Sequence, residues 1–352
     1  MLVFYPLKAL ARDQFLRWKA LCQQFGFPGD LVAKIDGDVP GPDRDRALER
    51  SNIVIMTPDV CQAWFMRNVG TPLARAFLSR LSLIILDEAH TYESVFGSNV
   101  AFLLRRLQNA KRQASRNLDQ SATLQVIAAT ATIAEPAQHL NRLTGLRFEV
   151  ISEDENGAPQ YPRLLLRIAG PSYGAGGEEM VKSTVRAILE LSNANRILAF
   201  VDSRQGTERV ARDIESTEVL PYRSGYEADD RAMIESSLRG GSLRGVVSTS
   251  ALELGVDIPC VDIGVNLGVP DSRKSFRQRI GRVGRARAGL FVVIAEPNAF
   301  RQYGQTFADY YNGSSSLPTY IQVIALSNLR TRDVFGMKWK SYDRIAVRLQ
   351  AV

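Results

Sequence analysis

Ser82-Leu83-Ile84-Ile85-Leu86-Asp87-Glu88-Ala89-His90 decides how the rest of the chain is read. Leu83 to Leu86 is a continuous aliphatic run, as in a strand buried on both faces, and it ends without a spacer on two adjacent carboxylates. Open α/β sheets bind ligands at the carboxyl ends of their strands. Paired carboxylates there suit hydrolysis of a magnesium-bound nucleotide, with Asp87 holding Mg2+ through its water shell and Glu88 orienting or deprotonating the attacking water. Taken alone, the same residues also fit a surface turn with a capping acid.

Outward from this stretch, short β-branched or leucine-rich runs alternate with longer polar-apolar segments, the pattern of parallel strands crossed by helices. Strands are predicted at Leu2 to Tyr5, Ile53 to Met56, Leu83 to Leu86, Leu124 to Ala128, Ile197 to Val201, Gly245 to Ser248, Ile263 to Asn266 and Leu290 to Ala295. The fold class is α/β throughout. Between Ile151 and Gly177 two polar, Gly/Pro-rich stretches flank one apolar run, RLLLRIA, and the domain boundary is placed there. This gives a first domain over 1–150, a linker over 151–178, a second domain over 179–300 and a basic extension over 301–352.

A length of 352 residues with 45% hydrophobic content supports two cores. No apolar run reaches the roughly 18 residues of a membrane span, so a cytoplasmic protein with no membrane partner is expected. Cys22, Cys61 and Cys260 are widely separated, and His90 and His139 are the only histidines, so neither a zinc site nor a disulfide framework is indicated. Any metal is then a hard cation on carboxylates. The net charge of +7 is a carboxyl-terminal property, since Pro270 to Val352 holds fourteen Lys/Arg against five Asp/Glu. Such an excess suits a polyanionic partner and also describes a solvated face.

Gln278-Arg279-Ile280-Gly281-Arg282-Val283-Gly284-Arg285 supplies the opposite charge. Arginine is always protonated and forks onto phosphate oxygens. Residues three apart share a helix face, which lets Arg282 and Arg285 reach one triphosphate. Alone, the segment also fits a basic helix touching solvent or nucleic acid.

Taken in order, Tyr5-Pro6-Leu7-Lys8-Ala9-Leu10, Thr57-Pro58-Asp59, Asp87 to His90, Thr130-Ala131-Thr132, Val201-Asp202-Ser203-Arg204, Thr249 to Asp257 and QRIGRVGR resemble motifs Ia, Ib, II, III, IV, V and VI of superfamily 2 helicases. HTYESVFGSNVAFLLRRL and YRSGYEADDRAMIE are similar to the mitomycin-repair (YprA-like) helicases and their fungal RecQ-related cousins, which implies a DNA-repair setting.

The resemblance implies two RecA-like domains with ATP bound and split in the cleft between them. Asp87 and Glu88 serve Mg2+ and water, and His90 and Gln278 sense the nucleotide. Gly255 and Asp257 approach ribose and phosphates, Arg282 and Arg285 act as fingers, and Thr130 and Thr132 couple hydrolysis to domain motion. Lys8, Thr57, Arg204 and Thr249 correspond to contacts along the phosphates of a nucleic-acid strand, here single-stranded DNA, without base recognition. A surface charge at Lys8 or Arg204, and a helix cap at Thr57 or Thr249, explain the same residues locally.

No G-x-x-x-x-G-K-[ST] loop occurs in the sequence, although its amides and lysine hold nucleotide phosphates in the family. In the family that loop lies upstream of motif Ia, which begins here at residue 5. The resemblance therefore implies an amino-terminally shortened motor, inactive alone, whose first sheet loses an interior strand and leaves two unpaired edges facing each other. The alternative readings are a non-catalytic nucleic-acid-binding module and a structural remnant of a helicase with neither activity.

Overall fold

The computed structural model describes residues 1–296 except 118–122, 131–132, 134, 152–154, 156, 160, 192–194, 224, 253–260 and 271, together with 321–326. The chain divides into two units, Met1–Asn156 and Gly157–Val352.

Unit 1 runs β1 (Leu2–Phe4), α1 (Lys8–Gln24), β2 (Val32–Ile35), α2 (Gly41–Arg50), β3 (Ile53–Met56), α3 (Pro58–Ala63), α4 (Pro72–Arg80), β4 (Leu83–Leu86), α5 (Ser94–Asn117), β5 (Gln125–Ala128) and α6 (Pro136–Thr144). Its strands form one parallel sheet in the order β2-β3-β1-β4-β5. Alternate residues point to opposite faces. Leu2, Phe4, Val54, Met56, Ile84 and Leu86 accordingly pack with helices α2 to α6, whereas Val3, Tyr5 and Ile55 pack with Leu10, Ala11 and Cys22 of α1. Two covered faces explain why these strands read as unbroken apolar runs.

The expected gap between two facing edges is not found. β1 pairs with β3 on one side and β4 on the other, and β4 pairs with β5, so the described strands form an uninterrupted sheet. Its edge next to the nucleotide-type carboxylates is β5, where Gln125 and Ile127 are exposed, Ile127 by 47%.

Unit 2 runs β6 (Arg163–Ala169), α7 (Gly174–Leu191), β7 (Ile197–Phe200), α8 (Arg204–Asp213), β8 (Val219–Tyr222), α9 (Ala228–Gly240), β9 (Gly245–Ser248), β10 (Ile263–Leu267), α10 (Arg273–Ile280), β11 (Gly289–Ala295) and β12 (Ile321–Leu326). The sheet is again parallel, in the order β12-β6-β11-β10-β7-β9-β8. One face packs against α9 and α10 through Ile234, Leu238, Phe276 and Ile280, and the other against α7 and α8 through Val181, Val185, Ile188 and Val210. At the second position of β10, a Cβ on Gly264 would stand 2.4 Å from the Phe291 ring and 2.8 Å from Val283, so this strand admits no side chain there.

Residues 151–178, expected as a linker, contain a strand and the first turn of a helix. RLLLRIA is β6, in full register with β11, and Leu165, Leu166 and Ile168 are buried in the second core. Five of its seven residues are apolar, and the sheet interior is where that surface leaves water. Pro221 lies in β8, at the sheet edge, where a missing amide donor costs no ladder bond.

Candidate nucleotide and nucleic-acid site

β4 delivers Asp87 and Glu88 to the carboxyl end of the first sheet. Asp87 accepts a 2.9 Å hydrogen bond from the Glu88 amide through Oδ1, and its other oxygen takes no partner among the described residues. Burial pushes its carboxyl above the ordinary value, an effect that the Glu88 amide partly opposes. Glu88 sits in the left-handed region at φ 48°, uncommon for a non-glycine residue and concentrated at functional sites. That conformation turns its carboxylate back to His90, whose Nδ1 lies 3.2 Å from Oε2 while the imidazole is fully buried.

The turn is stitched to its surroundings from outside. The Ala89 amide donates to the Ala129 carbonyl at 2.9 Å, tying it to the end of β5. His139 on α6 donates from Nε2 to the Ala89 carbonyl at 3.0 Å. Tyr92 is buried one turn later with its hydroxyl unbonded, its phenol pushed up by burial and by the charges of Asp87 and Glu88. Sequence reasoning passed over His139 and Tyr92; the only signal for Tyr92 was its place four residues after Glu88.

In unit 2, Ser272 caps α10 by accepting from the Ser275 amide at 3.1 Å. Gln278 lies half-buried on this helix, and Arg282 and Arg285 follow in the turn after it, Arg282 half-buried and Arg285 exposed. Arg285 donates from Nε to the Gly281 carbonyl at 2.8 Å. Gly284 takes φ 68°, a left-handed step that redirects the chain between the two arginines. The arginine that sequence reasoning left without a role, Arg279, anchors the segment. It is 2% exposed, donates to both oxygens of Asp202 at 3.2 and 2.6 Å and to Asn266 at 2.9 Å, and covers the Phe200 ring at 4.9 Å.

The strand-contact candidates do not converge on one another through any described bond. Lys8 is exposed at the start of α1, with Nζ 3.8 Å from Asp38 in the loop after β2. Arg204 is exposed at the first position of α8. Thr57 is buried and caps α3 by accepting from the Val60 amide at 3.4 Å, and Thr249 accepts from the Ala251 amide at 3.3 Å. Thr130 is exposed just beyond β5, and Thr132, Gly255 and Asp257 lie outside the described residues. The Thr57 cap carries its own expectation: Thr57→Ala lowers stability by about 1 kcal/mol and Thr57→Ser restores it. An unchanged urea midpoint in the alanine variant would remove the cap from the account.

Comparisons with known proteins agree with this geometry. Residues 1–140 match the family profile described as DEAD/DEAH box helicase, and residues 180–287 match the helicase conserved C-terminal domain. With two parallel α/β units in tandem of the RecA-like kind, the chain belongs to the superfamily 2 helicases. Within them it falls in the YprA-like and Hrq1 branch. It is 30% identical over 316 residues to the ATP-dependent helicase HRQ1 of Saccharomyces cerevisiae, an alignment covering 85% of this chain and 29% of that protein. It is 31% identical over 326 residues to the uncharacterized ATP-dependent helicase YprA of Bacillus subtilis, covering 88% and 42% respectively. The crystal structure of the DUF1998 helicase MrfA bound to DNA superposes with a TM-score of 0.78 at 29% identity, over 91% of this chain and 43% of that one. The chain thus spans less than half the length of these relatives.

Proposed function

We propose that the chain is the motor portion of an ATP-dependent helicase or translocase that moves on DNA. The observation that carries this is the Asp87-Glu88 turn, a strained, half-buried carboxylate pair at the end of an interior strand, fixed by bonds to β5 and α6. Left-handed backbone also occurs at Ser94 and Glu215, so it is the combination with two adjacent carboxylates at a strand end that marks this turn. Unit 2 adds a second charged assembly in which Arg279 and Asp202 brace the segment bearing Arg282 and Arg285. The relatives' printed names, ATP-dependent helicases and a helicase bound to DNA, support the same reading.

The residues fit Mg2+ as its usual nucleotide-bound ion. Among the described residues no cluster of three or more His, Cys, Asp or Glu could hold a metal by itself, and Mg2+ with a nucleotide needs only one or two carboxylates plus phosphates and water. Asp87 would hold it, and its charge would offset that developing on the transferred phosphoryl group. Glu88 orients and deprotonates water, and the His90 contact holds it in place until then. Gln278, with His90, is assigned to sensing the nucleotide, Arg282 and Arg285 to its phosphates, and Thr130 and Thr132 to coupling hydrolysis to motion. Gly255 and Asp257 complete the nucleotide contacts.

Lys8, Arg204, Thr57 and Thr249 are assigned to phosphates of a single strand. No helix among the described residues is long and apolar enough to cross a membrane. The expected result is binding of single-stranded DNA without sequence preference, weakening roughly tenfold or more between 50 and 200 mM salt. Filter binding with oligonucleotides of different sequence checks it, and salt-independent or sequence-selective binding would overturn it.

A further inference from the structure

α5 is 24 residues long, and between Ser94 and Asn117 it carries five basic side chains and no carboxylate. Lys111 is spent inside the fold, donating to the Ser79 carbonyl at 2.6 Å. Arg105, Arg106, Arg112 and Arg116 are all exposed. Residues 105, 112 and 116 recur at helical spacing and form one stripe along the last three turns, while Arg106, about 100° round the helix, stands beside it and turns toward Gln62 of α3.

A stripe that merely faces water usually interleaves its cations with glutamates three or four residues away. Within the helix those positions hold Ala101, Phe102, Leu103, Gln108, Asn109, Ala110, Gln113 and Ser115, and the next acid in the sequence, Asp119, comes after Asn117. Arg112 and Arg116 stand four apart as a like-charge pair, which disfavours the helix. The guanidinium groups bond only neutral acceptors: Arg105 the Arg142 carbonyl, Arg106 the Gln62 side chain at 3.0 Å, and Arg112 the Asn109 side chain at 2.7 Å. These bonds orient the charges without cancelling them. Unit 2 treats its arginines differently, pairing Arg186, Arg209, Arg223, Arg244 and Arg287 with carboxylates. Exposed Arg75 on α4 and Arg142 on α6 flank the stripe and extend the positive field.

We propose that this face of α5 is a second nucleic-acid surface, binding the phosphate backbone of duplex DNA apart from the strand contacts assigned to Lys8 and Arg204. It rests on the DNA-motor reading above. Single-strand sites interleave cations with stacking aromatics. From Arg105 to Arg116 α5 holds none, and the exposed Phe102, one turn before Arg105 and Arg106, is a single ring at one end of the row and not one interleaved along it. A rigid row of cations at fixed spacing matches the fixed phosphates of a duplex.

The test uses the full chain with Arg105→Gln, Arg106→Gln, Arg112→Gln and Arg116→Gln combined, and the same four positions changed to Lys. Probes are a blunt DNA duplex of about 30 base pairs, roughly three helical turns, an oligothymidylate of equal length, and polyglutamate. The glutamine variant is expected to lose about three units from the slope of log affinity against log salt on duplex, to keep its slope on oligothymidylate, and to melt like the parent. The lysine variant keeps the duplex slope, and Lys8→Ala with Arg204→Ala weakens only the single strand. A glutamine variant with an unchanged duplex slope overturns the α5 assignment alone, as does a defect confined to polyglutamate, which would make the face an acidic-protein site. A parent chain that binds neither DNA overturns the DNA-motor reading and this surface with it.

Discussion

Glu88→Gln is expected to abolish ATP turnover, by about a thousandfold or more, in a version of the chain with a G-x-x-x-x-G-K-[ST] segment joined ahead of Met1, while ATP binding persists. The amide keeps the size of the side chain but cannot take a proton from water, and Asp87 still holds Mg2+. The 352 residues by themselves are expected to hydrolyse ATP negligibly even with saturating nucleic acid. A triphosphate needs several amides and a lysine around its β and γ groups before finger arginines can act. Arginine fingers multiply the rate of a complex that must first form, and Arg282 and Arg285 belong to unit 2, away from the Asp87-Glu88 strand in the chain. Steady-state phosphate release by both polypeptides, each beside its glutamine variant, decides the point. Robust release by the 352-residue chain that disappears with Glu88→Gln would reveal a phosphate cradle not recognised in the sequence. Turnover unaffected by the substitution would remove Glu88 from the mechanism.

Arg279→Ala is the second large expectation, with a loss of about 3 kcal/mol in the unfolding of unit 2. Breaking a buried pair by removing one partner strands the other. Asp202 is half-exposed and recovers some hydration, which places the cost at the lower end of the range for such pairs. Fully buried Asn266 loses the donor to its Oδ1, and the Phe200 ring loses the guanidinium stacked on it. Arg279→Lys recovers only part of this, because an ammonium cannot fork onto both Asp202 oxygens and still reach Asn266. Urea unfolding followed by circular dichroism checks it, and wild-type stability in the alanine variant would show that the network holds nothing together. The same variant is expected to lower Arg282- and Arg285-dependent turnover in the phosphate-loop version, because α10 loses its fixed seat against β7 and β10.

Much of the site was legible because its residues are contiguous. Asp87 and Glu88 follow directly from a strand, and Arg282 and Arg285 sit in one octapeptide, so local order places each set. What holds those residues in place was not legible. His139 reaches Ala89 across 50 positions, and Arg279 reaches Asp202 across 77, and neither separation leaves a periodic signal. Thr57 shows the converse: its N-cap was written in the sequence as a threonine before proline, and the structure forms it.

The amino-acid sequence by itself determined the parallel α/β class, eight of the strands and the carboxylates at the end of β4, because strand periodicity and burial on both faces act over a few residues. Arg282 and Arg285, expected on one helix face, lie instead beyond the end of α10 with the left-handed Gly284 between them. Tertiary structure decided the rest. RLLLRIA lies within a polar stretch that reads as a linker, and only pairing with β11, more than a hundred residues later, makes it an interior strand. The order β2-β3-β1-β4-β5, with β5 at an edge and no gap beside β1, depends on which strand each backbone amide finds. Every strand carries the same donors and acceptors, so the choice among partners is made by packing across the whole sheet and not by any local run of residues.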